Sequence, residues 1–283
     1  MNSILKKIRQ SDAFNKENRN SYTKAVLLMS LFTFTFLGAE FLFVDMMSRI
    51  VAGNQAVSAQ NYALGISVIG FVLYPLFCRV CKERLQYTVT VGVAILSAVC
   101  LFLICLHSTY TLTMCMGLLL FLTLGAFGSA VFCKSLCLLE DNTYLARLVG
   151  VSYMLGILLQ IANNNLIHTA TFEAGILSAI ILLLAVTLIR AENNSIVPAL
   201  SKEKTNDGTG ENGNGSLRIA VVLILFVALL TCIFSTLDNA VTLYHANGVV
   251  NIGQWPRILL ALSGLFAGFL FDMAGRKYMS MVM

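Results

Sequence analysis

Charge is scarce in this chain. Only 12% of its 283 residues are Asp, Glu, Lys or Arg, against about 25% in ordinary soluble domains. Hydrophobic residues make up 58%. No single soluble core of this size hides that much apolar surface, so a water-soluble domain is excluded and a bilayer is the fitting solvent. Enzyme signatures are missing: there is no Walker loop, no Ser/His/Asp arrangement and no HExxH. No enzyme site and no cofactor are expected. Only three histidines occur, His107, His168 and His245, all at expected outer helix ends. External pH sensing and simple interfacial placement both fit them. No apolar core precedes the polar, basic residues 1–24, so a cleavable signal peptide is not expected and this stretch reads as a cytoplasmic tail. The net charge of +5 does not predict a nucleic-acid partner, because the basic residues are spread through short loops.

Cysteine is present, eight times, but not in a metal pattern. Cys100, Cys105, Cys115 and Cys232 lie within apolar runs, where Cys behaves as a small hydrophobe. Cys78 with Cys81 and Cys133 with Cys137 are close pairs. Zinc needs further Cys or His ligands nearby, and none is at hand, so no metal site is expected.

Long apolar runs are what the chain does have. A helix crossing a ~30 Å hydrocarbon core needs about 20 apolar residues. Eight segments qualify: 25–47, 59–78, 87–106, 111–133, 147–168, 172–190, 217–238 and 255–272. They are too long and too unbroken for strands. With a cytoplasmic N-terminus, only Arg49 and Arg257 of the nineteen Lys and Arg fall on the outer side. That asymmetry sets both termini in the cytoplasm. A multi-pass protein of the cell (plasma) membrane is expected.

Residues 191–216 are of another kind. Lys202, Glu203 and Lys204 are followed by a run from Asp207 to Gly215 rich in Gly and Asn. Such composition predicts a flexible cytoplasmic linker. It separates a six-helix unit (25–190) from a two-helix remainder (217–283). Shifted by 194 positions, Gln60 falls on Gln254, Gly70 on Gly264 and Lys24 on Arg218, and the hydropathy repeats with the same offset. Parallel repeats of this kind are a transporter trait.

The most specific stretch follows the eighth segment: Gly268, then Asp272, Met273, Gly275, Arg276 and Lys277. Asp272 ends an apolar helix, Gly275 permits a tight turn, and Arg276 and Lys277 can pair with Asp272, with helix carbonyls or with lipid phosphates. This loop resembles the signature of the major facilitator superfamily, Gly-x-x-x-Asp-Arg-x-Gly-Arg-Arg, in the expected place after the second helix of a half. Met273 departs from it by replacing a basic residue. In the first half Cys78 stands where Asp272 does and Cys81 where Gly275 does, so that loop is degraded. The fourth segment lacks an Arg of the kind the family uses in proton coupling. The fifth has Gly150 and Gly156 but no glycine–proline series.

The resemblance implies an all-α, polytopic transmembrane helix bundle, a partial major-facilitator fold. Its six-helix unit is followed by two helices of a second repeat, eight of the family's usual twelve. It implies secondary active transport of a small solute by alternating access, with protons or sodium as coupling ion. The loop would then latch the two halves in one access state. The alternative is a non-transporting membrane protein: a sensor, an assembly partner or a degenerate remnant. The chain stops shortly after the loop, so a fragment, a truncated product and half of a larger assembly all stay open.

Polar residues inside the runs carry the remaining expectations. Glu40 sits mid-depth in the first segment, where a charge costs about 2.5–3.5 kcal/mol on insertion scales. It reads as the most buried charge: either a proton or cation coupling site or a structural hydrogen-bonding group. Asp45, a second coupling candidate, shares a helix face with Arg49, which also fits an interfacial ion pair. Asp238 and Arg257 can pair across the seventh and eighth segments. Gln160, Asn163, Asn164 and Asn165 crowd the fifth segment. Four amides are hard to satisfy in lipid. They are expected either to line a wet pathway, which in the family borders this helix, or to bond between helices. Gly125 and Ser129 form a small-xxx-small pair, expected at a close helix contact.

Overall fold

A computed structural model describes residues 16–80, 83–106, 109–138, 145–167, 169–192 and 255–274. All regular structure among them is helical. In chain order the helices are α1 (Lys16–Ser48), α2 (Gly53–Val80), α3 (Glu83–Cys105), α4 (Tyr110–Leu138), α5 (Leu145–Leu166), α6 (Ala170–Glu192) and α7 (Trp255–Ala274). The first six are long and apolar enough to cross a membrane, which makes this a multi-pass membrane protein. α7 corresponds to the eighth apolar segment and is apolar over Ile258–Phe269. The seventh segment, nearly all of the linker, Asp238 and the loop residues Gly275, Arg276 and Lys277 lie outside the described residues.

Hydrophobic length alone explains why each run is helical. In lipid every backbone amide must find its partner within the segment. Side-chain hydroxyls obey the same constraint by bonding back to carbonyls of the preceding turn: Thr33 Oγ1 to Met29 O at 2.9 Å, Thr35 Oγ1 to Leu31 O at 2.8 Å and Ser97 Oγ to Val93 O at 2.8 Å.

α1 and α4 form the centre. Phe36 and Phe43 of α1 meet Phe121 of α4 edge to face, with centroids 5.5 and 5.9 Å apart. Phe43, Met46, Met47, Leu120 and Phe121 are fully enclosed. α2 lies against α4 at backbone contact: a Cβ at Gly70 would collide with the Leu122 carbonyl, and one at Gly125 with the Ser67 carbonyl. The small-xxx-small pair therefore marks a helix contact, as expected. α3 joins α4 through Ser97 Oγ and Thr123 Oγ1, 2.8 Å apart. It joins α6 through Cys105 Sγ and the Ala170 carbonyl, 3.5 Å apart. α5 packs on α1, with Ser152 Oγ donating to the Val26 carbonyl at 3.3 Å.

α7 stands on the far side of α5 and is not inserted among the other six. Gly264 and Gly268 bring its backbone onto Gly150 and Ala146. Arg147 lies over the Phe269 ring, 4.6 Å from its centroid, a cation–π contact.

The bundle has two distinguishable ends. Asp45, Cys105, the Gln160–Asn165 stretch and the start of α6 gather at one, the Asp45 end. Lys134 and Arg147 lie toward the other.

Candidate functional site

The amides of α5 hydrogen-bond within the protein. Asn163 Nδ2 donates to Glu173 Oε1 of α6 at 2.9 Å, a buried bond between adjacent helices. Gln160 Nε2 donates to Asn164 Oδ1 one turn on, at 2.9 Å, so these two share a helix face as expected. The Gln160 amide also lies close to the Glu173 carboxylate. Gln160, Asn163 and Glu173 are 5%, 6% and 9% exposed, so water reaches none of them freely.

One acceptor in this cluster is unmet. Gln160 Oε1 is buried and has no hydrogen-bond partner. Such an orphan costs about 1–3 kcal/mol. It points toward α1 at Gly38: a Cβ there would lie 3.0 Å from Gln160 Oε1 and 2.7 Å from Leu177 Cδ2. Glycine at this position thus leaves room for the amide between α1, α5 and α6.

Glu173 is the central group that the sequence left unmarked. An acid in the first turn of α6 reads from sequence as an interfacial residue. Its helix packs chiefly on α3 and α1, and Asn163 reaches across to the carboxylate from α5. Among the described residues no Lys or Arg forms an ion pair with it. Asp45 acts on it electrostatically, and it in turn acts on Cys105.

Glu40 lies elsewhere. Gln60 Nε2 of α2 donates to Glu40 Oε1 at 2.6 Å, and both side chains are only partly buried. Glu40 was expected to be the most buried charge. It is not: Glu173 is deeper, and so is Lys134 of α4, at 4% exposed. Depth along a helix is legible in sequence; which face of the helix is covered is not. Gly38 and Glu40, two positions apart, fall on opposite sides of α1, one facing α5 and α6 and the other α2.

Asp45 accepts from Arg49 at 2.8 Å, with the Asp and Arg side chains about half exposed. This is the interfacial i, i+4 pair, and a pair so open to solvent adds little stability. Gly268 is buried against α5. Asp272 and Arg257 lie in α7, but their side chains, like Asp238, are outside the described residues. An apolar cavity of about 210 Å³ opens between α2, α3 and α4, lined by Leu73, Tyr74, Phe77, Thr90 and Phe127 among others. It does not coincide with the polar cluster. No three His, Cys, Asp or Glu side chains converge among the described residues.

Comparison with known proteins gives no match: no family model fits the chain, and no curated protein or solved structure is significantly similar to it.

Proposed function

We propose that this chain is part or all of a secondary transporter that moves a small solute across a membrane by alternating access. The observation that carries the reading is the Gln160–Asn163–Glu173 cluster. Charged and amide groups inside membrane helices are costly and tend to mark solute or ion pathways. Here they converge from two helices at one level of the bundle, beside a glycine on a third.

The attachment of α7 supports the same reading. In the major-facilitator arrangement that the Asp272 loop suggests, α7 belongs to a second unit apposed to the first. Its glycine-rich seam with α5 is a natural place for two units to move against each other. The coupling ion, the orientation with both termini in the cytoplasm and the latch role of the loop belong to this proposal.

Uptake into proteoliposomes tests it. Purified protein is reconstituted, with any polypeptide that completes it, and offered radiolabelled sugars, amino acids and carboxylates under an inward proton or sodium gradient. Accumulation of one class that collapses when the gradient is dissipated supports transport. Correctly inserted protein that accumulates none of them favours the non-transporting reading.

A further inference from the structure

The polar cluster at the Asp45 end holds a buried acceptor with no donor. Glu173 receives a hydrogen bond at Oε1 from Asn163 Nδ2, and the Gln160 amide lies close to the same carboxylate. Gln160 Oε1 receives nothing. The Gln160 amide spends one hydrogen on Asn164. The site holds a carboxyl group and no basic partner: among the described residues Glu173 has no Lys or Arg ion pair, and Arg49 is engaged by Asp45. A buried carboxylate and a buried, unpartnered carbonyl in one cluster call for a positively charged or hydrogen-donating guest. Burial of the side chains limits that guest to something small.

We propose that Glu173, Gln160 and Asn163 form a binding site for one small monovalent cation, a proton or a sodium ion. Glu173 supplies the charge. Asn163 orients the carboxylate by donating to Oε1. Gln160 supplies a neutral oxygen, and Gly38 keeps the space open for it. Sodium is a hard cation held by oxygen atoms, and a proton on Glu173 would neutralise the same charge. Other charged or titratable groups that bear on the cluster are Asp45 and Arg49 from α1 and Cys105 from α3. Glu40 faces α2. His107 and His168 lie outside the described residues. The site requires no transport activity, so its failure and that of the transporter reading are separable.

Equilibrium binding to the purified chain in lipid nanodiscs tests the inference. In the sodium arm, radioactive sodium binds and is not displaced by choline. Replacing choline chloride with sodium chloride at constant ionic strength then raises the unfolding temperature, because a ligand of the native state stabilises it. In the proton arm, infrared spectra show the C=O band of a protonated carboxylic acid on acidification. Either signal in wild type, lost in Glu173→Gln and retained in Glu40→Gln, supports the site and identifies its guest. Gln160→Met, which removes the oxygen and keeps the volume, should weaken sodium binding about tenfold or more or shift the pH at which the band appears. It also serves if Glu173→Gln does not fold. The proposal is overturned if wild type shows neither signal, if the signal survives Glu173→Gln, or if Gln160→Met leaves it unchanged.

Discussion

Gln60 meets Glu40 across α1 and α2 with its Nε2 2.6 Å from the carboxylate, and that bond sets how costly Glu40 is. A hydrogen bond to a charged group contributes about 1.5–3 kcal/mol, and removing one partner leaves the other to bear its desolvation. Gln60→Leu should therefore lower stability by about 1–3 kcal/mol, measured by thermal unfolding in detergent. Adding Glu40→Gln should recover part of the loss. Strictly additive single effects in that double-mutant cycle would mean that the two side chains are not coupled. The partner was invisible in sequence because twenty residues and a turn separate it from Glu40. Glu173 was hidden for a different reason: its position near the end of an apolar run describes an interfacial acid. Only the packing of α6 against α3 and α1, with Asn163 reaching across from α5, makes it a buried one.

Glycines decide how the helices meet, and they divide sharply by surroundings. Gly125 and Gly70 abut the backbone carbonyls of Ser67 and Leu122 across the α2–α4 seam, whereas nothing lies within 4 Å of a Cβ built at Gly65 or Gly92. Backbone cannot yield as a side-chain tip can. Gly125→Leu should cost about 3 kcal/mol or more, while Gly65→Ala and Gly92→Ala should be neutral or stabilising by up to about 1 kcal/mol. Equal losses at Gly125 and Gly92, in the same unfolding assay, would contradict the packing. The α5–α7 seam follows the same logic. Gly150→Leu would drive a side chain into the Gly264 carbonyl and the Gly268 backbone. Cysteines replacing Arg147 and Phe269 should be joined by a short bifunctional reagent in the parent protein and no longer in Gly150→Leu. Cross-linking that persists would place the seam elsewhere.

Helix positions were legible because hydropathy reports burial in lipid directly. Six apolar runs became six long helices, and the eighth became α7. Their ends were less legible. α1 begins at Lys16, within the stretch read as a polar tail, because Lys, Glu, Asn and Arg can continue a helix beyond the hydrocarbon without adding apolar surface. α4 likewise runs on to Leu138, past the last strongly apolar stretch, and buries Lys134 there. The amide-rich face of α5 was legible as a concentration of polar groups at helical spacing. What those groups bond to was not, since their carboxylate partner lies on the next helix. The Asp272 loop carries the sequence resemblance, yet apart from Gly268, packed on α5, its side chains lie outside the described residues.

At the scale of the whole molecule, six apolar helices enclose a buried cluster built on a carboxyl group and amides, and a seventh helix is seated on the α5 side of the bundle. A bundle serving only as a scaffold gains nothing from an unpaired carboxylate beside an unmet carbonyl, since well-packed apolar residues there would often be as stable or more so. A transporter does gain, because a group that binds an ion differently in two states can shift the equilibrium between them, whereas one that binds equally in both cannot. Gradient-driven uptake in proteoliposomes, wild type against Glu173→Gln, is the most direct measurement of that claim. Wild type should accumulate one class of solute and lose the accumulation when the gradient is dissipated. Glu173→Gln, inserted at the same level, should no longer concentrate that solute. Accumulation that is unchanged in Glu173→Gln, or absent for every solute offered to well-inserted wild type, would contradict the claim.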